Sequence, residues 1–342
     1  MDNYIATWIY LEPEEEKSKY PNNKGDSTSP EFQAVYWRCV ALFFKTSLRH
    51  HNNCKHLLFT NDGRIPVVDG LDLSIFFKEN RIEVIQLDNK YPLPNDYFGI
   101  FRNQFFEFTI IDYLGKRLNN EDQLLLLDSD CVFAKPMHDS FARLQKEEHA
   151  ITYIVDLERD YHIHGLTGDD MKELFEDFGI KLDENPYYSG GELLFAKGTF
   201  FKKVAHDFPE LFENLINRFK NGQKKFNEEA HVLSYFFYKY NSDLGGMNED
   251  IKRLWTNKNY FRNVTDQDKE LSIWHLPNEK KTGIHRLYHK IVLNSPNLSS
   301  DKEFHKVLYD DLLHPKNYKT NFVQILRNKV SILLMNLGLR IK

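Results

Sequence analysis

The chain has 342 residues, 41% of them hydrophobic and 14% aromatic, and a formal net charge of -5. That is ample apolar material for a packed core in one large domain or two smaller ones. The slight acidity gives no overall pull toward nucleic acid or an anionic membrane, so no nucleic-acid partner is expected and any such attraction must be local.

The opening MDNYIATWIYLEPEEE has no basic leader and no long apolar run. No stretch reaches the ~18 uncharged apolar residues of a spanning helix, so a soluble cytoplasmic protein is expected. Cys39, Cys54 and Cys131 are far apart, which suits neither a disulfide framework nor a zinc site. Residues 3–11 (NYIATWIYL) read as a first strand, and 12–30 as a polar loop. Helical apolar spacing runs over 31–48. Short strands are expected at 55–61 and 81–87, and a long aromatic-rich helix at 99–114. QLLLLD (123–128) reads as a strand without polar alternation, as when both faces are covered.

This alternation predicts an α/β fold, a mostly parallel central sheet flanked by helices. Ligands of such sheets bind beyond the carboxyl ends of the strands. Further along, 149–157 reads as a strand and RDYHIHGLTGD as irregular. Residues 184–198 read as loop, turn and strand, 209–222 and 227–240 as helices, and 270–277 as a late strand. Composition shifts only from about Pro315.

Four stretches carry chemistry. Asp128-Ser129-Asp130 closes the leucine strand, and in an extended segment residues i and i+2 point the same way. Two carboxylates so close repel unless a cation lies between them. Oxygen ligands of this kind suit Mn²⁺ or Mg²⁺. His275 ends the late strand and can complete a metal's coordination. The basic run after it can neutralise a diphosphate, with Gly283 letting backbone approach; Lys280, Lys281, His285 and Arg286 all remain candidates. Gly190-Gly191 makes a tight turn or lets a ligand approach closely. Asn227-Glu228-Glu229 opens a helix, where Asn227 as N-cap and the acids on the dipole explain all three residues without any catalytic role.

Taken in order, strand-DSD, paired glycines, acidic helix start and H…G…HR resemble nucleotide-sugar transferases of the GT-A fold. The likeness is nearest to glycosyltransferase family 8 and covers roughly residues 3–290. It implies a catalytic domain over 1–290 and a C-terminal helical extension over 291–342. It implies Mn²⁺ (or Mg²⁺) on Asp128, Asp130 and His275, and a nucleotide-sugar donor, UDP-hexose. Ala6, Thr7 and Trp8 are then placed at the uracil and ribose, with Asp62 near the nucleotide. Arg102, Ser129, Gly190, Gly191, Gly283 and His285 are placed at the donor, and Lys281 and Arg286 at its diphosphate. Glu228 or Glu229 takes the donor sugar or the acceptor. The family's H-x-x-G-x-x-K-P-W ending is only partly kept, with longer spacing and no K-P-W, and its D-Q-D helix start is replaced by Asn-Glu-Glu. The acceptor expected is a glycan or glycolipid, met by Tyr161, His162 and His164, and the likeness implies retention.

Residues 317–342 put Phe322, Leu326, Val330, Leu333, Leu337 and Ile341 on one helical face, with only basic charges around them. Such a helix can lie on an anionic membrane surface, which suits peripheral contact at the inner face and bacterial surface polysaccharide synthesis, or it can pack on the domain or a second subunit. Two rival functions are consistent with parts of the pattern. A haloacid-dehalogenase-type phosphatase also uses an apolar strand ending in D-x-D, and Gly168-Asp169-Asp170 resembles its later acidic motif. A carbohydrate-binding protein on the same fold would have no turnover.

Overall fold

The computed structural model describes residues 1–18, 20, 25–147, 149–256, 262–294 and 300–313. The first half runs β1 (Asn3–Ile9), α1 (Pro30–His50), β2 (Lys55–Thr60), a hairpin of β3 (Val67–Val68) and β4 (Leu71–Asp72), α2 (Leu73–Glu79), β5 (Ile82–Gln86), α3 (Phe106–Arg117) and β6 (Gln123–Leu127). The second runs β7 (Cys131–Phe133), α4 (His138–Lys146), β8 (Ala150–Ile151), a hairpin of β9 (His162–Ile163) and β10 (Leu166–Thr167), and α5 (Gly168–Asp177). It continues through β11 (Leu193–Lys197), α6 (Gly198–Lys220), α7 (Glu229–Lys239), β12 (Ile251–Arg253), β13 (Ile273–His275), α8 (Gly283–Leu287) and α9 (Asp301–Leu312).

The central sheet has the order β5-β2-β1-β6-β11-β8. β5, β2, β1 and β6 are parallel, and β11 is antiparallel to β6 and to β8. This is the mostly parallel, helix-flanked α/β sheet expected. Its core divides by strand alternation. Leu125 and Leu127 join the cluster containing α1, while Leu124 and Leu126 join the cluster containing α3, α6 and α7. That is why QLLLL carries no polar residue: both faces of β6 are buried.

The chain winds outward from β1 to β2 and β5, then returns to lay β6 on the other side of β1. The switch point therefore lies between the carboxyl ends of β1 and β6, where a crevice opens in sheets of this type. There the Thr7 hydroxyl donates to the Leu127 carbonyl at 2.8 Å and ties the two strand ends together. A second sheet, β12-β13-β7, starts right after the aspartates. β7 runs antiparallel to β13 with Cys131 opposite His275, and β12 runs parallel to β13 with Arg253 opposite His275. Register alone thus carries His275 and Arg253 to Asp130 across more than a hundred residues.

Local differences from expectation have physical causes. The helix expected over 99–114 starts only at Phe106: Phe101 has φ 50, and Arg102 spends its guanidinium on the carbonyls of Leu93 and Glu15. The strand over 149–157 pairs in the sheet only at Ala150–Ile151, because Thr152 N–H donates to Asp243 O and Val155 N–H to Tyr188 O instead. The helix placed at 209–222 begins at Gly198 and runs through Pro209, with Phe200, Phe201, Val204 and Phe208 buried ahead of the proline. Packing there outweighs the backbone bond that proline forfeits. α9 buries Phe304, Leu308 and Leu312 in the cluster containing α1. Residues 317–342 lie outside the described residues. Among the described residues, no helix is long and apolar enough to cross a membrane.

Candidate active site

A cleft of about 340 Å³ opens at the switch point. Trp8, Tyr10, Tyr20, Phe32, Tyr36 and Phe101 form an aromatic wall. Asp128, Ser129, Asp130, Glu192, Arg253, His275 and Lys280 also line it, as do Gly191, Glu228, Glu229, His164 and Tyr188.

Asp128 leaves the end of β6 with its N–H bonded to Glu192 O at 3.1 Å, and the turn closes through Cys131 N–H to Asp128 O. Asp130 is 3% exposed at its side chain and Asp128 38%, so Asp128 is the more open of the two to solvent. His275 Nε2 lies 3.6 Å from Asp128 Oδ2 and 3.5 Å from Asp130 Oδ2. Its Nδ1 donates to Glu192 Oε1 at 3.1 Å. Glu192 is completely buried and also accepts both arms of Arg253, one at 2.9 Å. The Lys280 ammonium sits on Asp130 Oδ2.

These charges set one another. Burial and the charge of Asp130 push Asp128 up. Burial also works against ionised Asp130, but Lys280 and His275 hold it well below the usual carboxylate range. Burial likewise opposes ionised Glu192, and Arg253 and His275 overcome it. Burial disfavours the His275 cation, yet Asp130 and Glu192 raise its pKa to about 9.

This donor set fits a divalent cation. One atom from each of Asp128, Asp130 and His275 lies within 4.8 Å of the others. Glu192 fixes the ring so that Nε2 faces the two carboxylates, the arrangement in which a carboxylate orients a metal-bound histidine from behind. Two carboxylate oxygens and one imidazole leave room for substrate oxygens on Mn²⁺ or Mg²⁺.

Capping does not account for Asn227-Glu228-Glu229. The N-cap of α7 is Glu228, and its side chain makes no capping bond. Asn227 instead donates to His164 O at 2.9 Å and accepts from Lys225 Nζ at 2.8 Å. Glu228 accepts from the Tyr188 hydroxyl at 2.5 Å and lies 3.4 Å from His164 Nε2. Burial pushes Glu228 up, and burial with neighbouring Glu228 and Glu107 pushes Glu229 up. Glu229 Oε2 is buried with no hydrogen-bond partner among the described residues. A Cβ at Gly191 would come within 2.7 Å of Glu229 Oε1, and one at Gly190 would collide with the Glu192 carboxylate. A methyl at either glycine would therefore have to displace one of these two acids.

The remaining expected residues are divided between cleft and scaffold. Trp8 lines the cleft, whereas Ala6 and Thr7 are fully buried in β1. Asp62 pairs with Arg64, and Arg102 with backbone; neither lines the cleft. Of the four basic candidates Lys280 alone lines it, while Gly283 is buried at the start of α8, Arg286 donates to Asp311 O and His285 bonds to His289. His164 lines the cleft, Tyr161 is buried against Tyr188, and His162 is exposed on β9. Asp169 and Asp170 are outside it: Asp170 closes a capping box with Thr167, and Asp169 accepts from Asn185 at 2.8 Å. The acidic motif resembling a phosphatase's is thereby accounted for by a capping box at Asp170 and the Asn185 bond at Asp169. Glu192 and Arg253 were not anticipated. An acid directly after paired glycines was a signal for the first, but IKR carries too little pattern to reveal a three-residue strand.

No protein-family model matches the chain, and no curated protein sequence matches it. Among solved structures it is similar to the galactosyltransferase LgtC in complex with donor and acceptor sugar analogs: 12% identity, TM-score 0.47, covering 91% of this chain and 96% of that one. An active-site mutant of LgtC gives 12%, 0.49, 85% and 95% in the same order. Mouse xyloside xylosyltransferase 1 in its apo form gives 10%, 0.46, 80% and 97%. At these identities and scores, function rests on the residues of the cleft.

Proposed function

We propose that the protein is a metal-dependent glycosyltransferase that moves a hexose from a nucleotide sugar, UDP-hexose, to a glycan or lipid-linked acceptor. The observation that carries this reading is the convergence of Asp128, Asp130 and His275 at the switch point of a mostly parallel sheet, inside a cleft.

Mn²⁺ or Mg²⁺ on these three side chains would supply Lewis-acid stabilisation to a leaving diphosphate, worth several kcal/mol. Lys280 adds a fixed positive charge at the same place, desolvated and therefore effective. Glu192 holds the His275 ring, and Arg253 keeps Glu192 ionised. Glu228 and Glu229 face the space for the hexose. With their carboxyls raised by burial they donate as well as accept. His164 beside Glu228 borders the acceptor side. The aromatic wall excludes water from a sugar with oxocarbenium character.

Retention is the stereochemistry proposed, and NMR of the fresh product with an inverted anomeric centre would overturn it. Surface-polysaccharide synthesis at a membrane is the setting proposed; liposome binding that survives truncation after Pro315 would remove its support. The whole reading is tested by thermal shift against a panel of nucleotide sugars with Mn²⁺. The correct donor at a hundredfold excess over its Kd should add about 2.7 kcal/mol. A panel in which none raises Tm would overturn it.

A further inference from the structure

His285 does not line the cleft, and neither His289 nor Asp69 does. We infer that these three residues form a second metal site, suited to a borderline transition metal such as Zn²⁺.

His285 lies in α8, and His289 follows four residues later in the π-helical turn Tyr288–Leu293. Residues four apart share a helix face. Their Nε2 atoms face each other at 3.0 Å. Asp69 Oδ2 lies 3.6 Å from His289 Nε2, and one ligand atom from each of the three falls within 4.8 Å of the others. Tetrahedral zinc with bonds of about 2.0–2.1 Å needs ligand atoms about 3.3 Å apart. The separations of 3.0 and 3.6 Å fall on either side of that value, and the third is within 4.8 Å, so closing the site requires His285 and Asp69 to converge on one ion.

Asp69 is held for this from two sides. It occupies the turn between β3 and β4 with φ 49, a conformation uncommon outside glycine. Tyr288, between the two histidines in sequence, donates its hydroxyl to Val68 O at 2.9 Å and so fastens the hairpin to the helix. Arg38 grips the carboxylate with Nε to Oδ2 at 2.7 Å and a terminal nitrogen to Oδ1 at 3.0 Å. Hydrogen-bonded ligand carboxylates of this kind are usual around metals. Arg38 also cancels the charge of Asp69, so attraction for the ion comes chiefly from the imidazoles. That favours Zn²⁺, Ni²⁺ or Cu²⁺ and disfavours Mg²⁺ and Mn²⁺, which seek oxygen ligands. Two sites in one chain would thus be sorted by ligand chemistry. An ion here would clamp the β3–β4 hairpin to the segment that follows Lys280. Its existence does not depend on the sugar-transfer reading.

The test is equilibrium dialysis of the metal-stripped full chain against ZnCl₂, and separately MnCl₂, with His289→Ala and His285→Ala beside the parent. His289 is partly exposed (44% at its side chain), so its variant keeps the fold, checked by the parental melting curve in EDTA. Each variant should bind one zinc equivalent fewer than the parent and the same amount of manganese. Should His285→Ala fail to fold, His289→Ala decides alone. Zinc stoichiometry and affinity in folded His289→Ala equal to the parent's would overturn the site.

Discussion

Replacing Glu192 by Gln removes the charge shared by His275 and Arg253 while keeping the side-chain volume. Glu192 is fully buried, accepts from His275 Nδ1 at 3.1 Å and takes a forked pair of bonds from Arg253. Removing one partner of a buried pair costs about 3–5 kcal/mol, and the 22% exposure of Arg253 argues for about 3. A chain of this length unfolding in one step has an entropy of about 0.7 kcal/mol/K, so Tm should fall by about 4 °C. The sign with pH follows from the depressed pKa of Glu192, whose contribution is complete above the unfolded value of about 4.3 and is lost only as pH falls toward its folded value. Ionisation of Glu192 itself therefore adds no pH dependence above about pH 6, but Glu192 also raises the His275 pKa to about 9, so the Tm gap should be full below the unfolded histidine value of about 6.5 and narrow as pH rises toward 9. The same change weakens the hold on His275, and loss of such a supporting carboxylate typically raises a metal constant about 10–100-fold. Thermal scanning and donor turnover titrated with Mn²⁺ measure the two effects. An unchanged Tm together with an unchanged Mn²⁺ constant would refute the role given to Glu192.

Gly191→Ala places a methyl 2.7 Å from Glu229 Oε1 and 3.0 Å from Ala230 Cβ, so it should displace Glu229, cost about 1–3 kcal/mol by overpacking and sharply reduce turnover; parental initial rates would count against the sugar-facing role of Glu229. Lys280→Met should lower kcat by about 10²–10³, the usual loss for one preorganised donor, whereas exposed Lys281→Met should leave it unchanged; equal effects would return the phosphate role to the whole basic run. His51 is buried with its pKa lowered to about 3 by burial, and its Nε2 accepts from Met137 N–H at 2.9 Å. Its stabilisation is full above the unfolded pKa of about 6.5 and falls by about 1.4 kcal/mol per pH unit below it. In urea titrations the gap between parent and His51→Gln should therefore shrink by about 2 kcal/mol from pH 7 to pH 5; an equal gap at both would exclude the linkage.

The strands of the first half were legible because burial on both faces leaves a mark in composition, as in QLLLL. Asp128 and Asp130 were legible for the converse reason, since nothing in a buried strand explains two acids at its end. Residues placed by long-range register were not. Arg253 reaches the site from a three-residue strand whose partner lies twenty residues on, and Glu192 acquires its role only from that partner. The basic run after His275 showed cations but not direction: the turn after Leu276 sends Lys280 inward, while Lys281 and Arg286 are exposed. Arg102 and Asp62 matched a pattern in sequence, yet local backbone and Arg64 had claimed them. Asn227 looked like an N-cap because capping is inferred from residue type, whereas its side chain answers to His164 and Lys225 in space.

The most direct measurement is turnover of the nucleotide sugar selected by thermal shift, using metal-stripped protein with and without Mn²⁺ and with Asp128→Asn. Release of nucleoside diphosphate should require Mn²⁺, cease with EDTA and be lost in the variant. Undiminished release in EDTA, or from folded Asp128→Asn, would contradict a metal-assisted transfer at Asp128, Asp130 and His275.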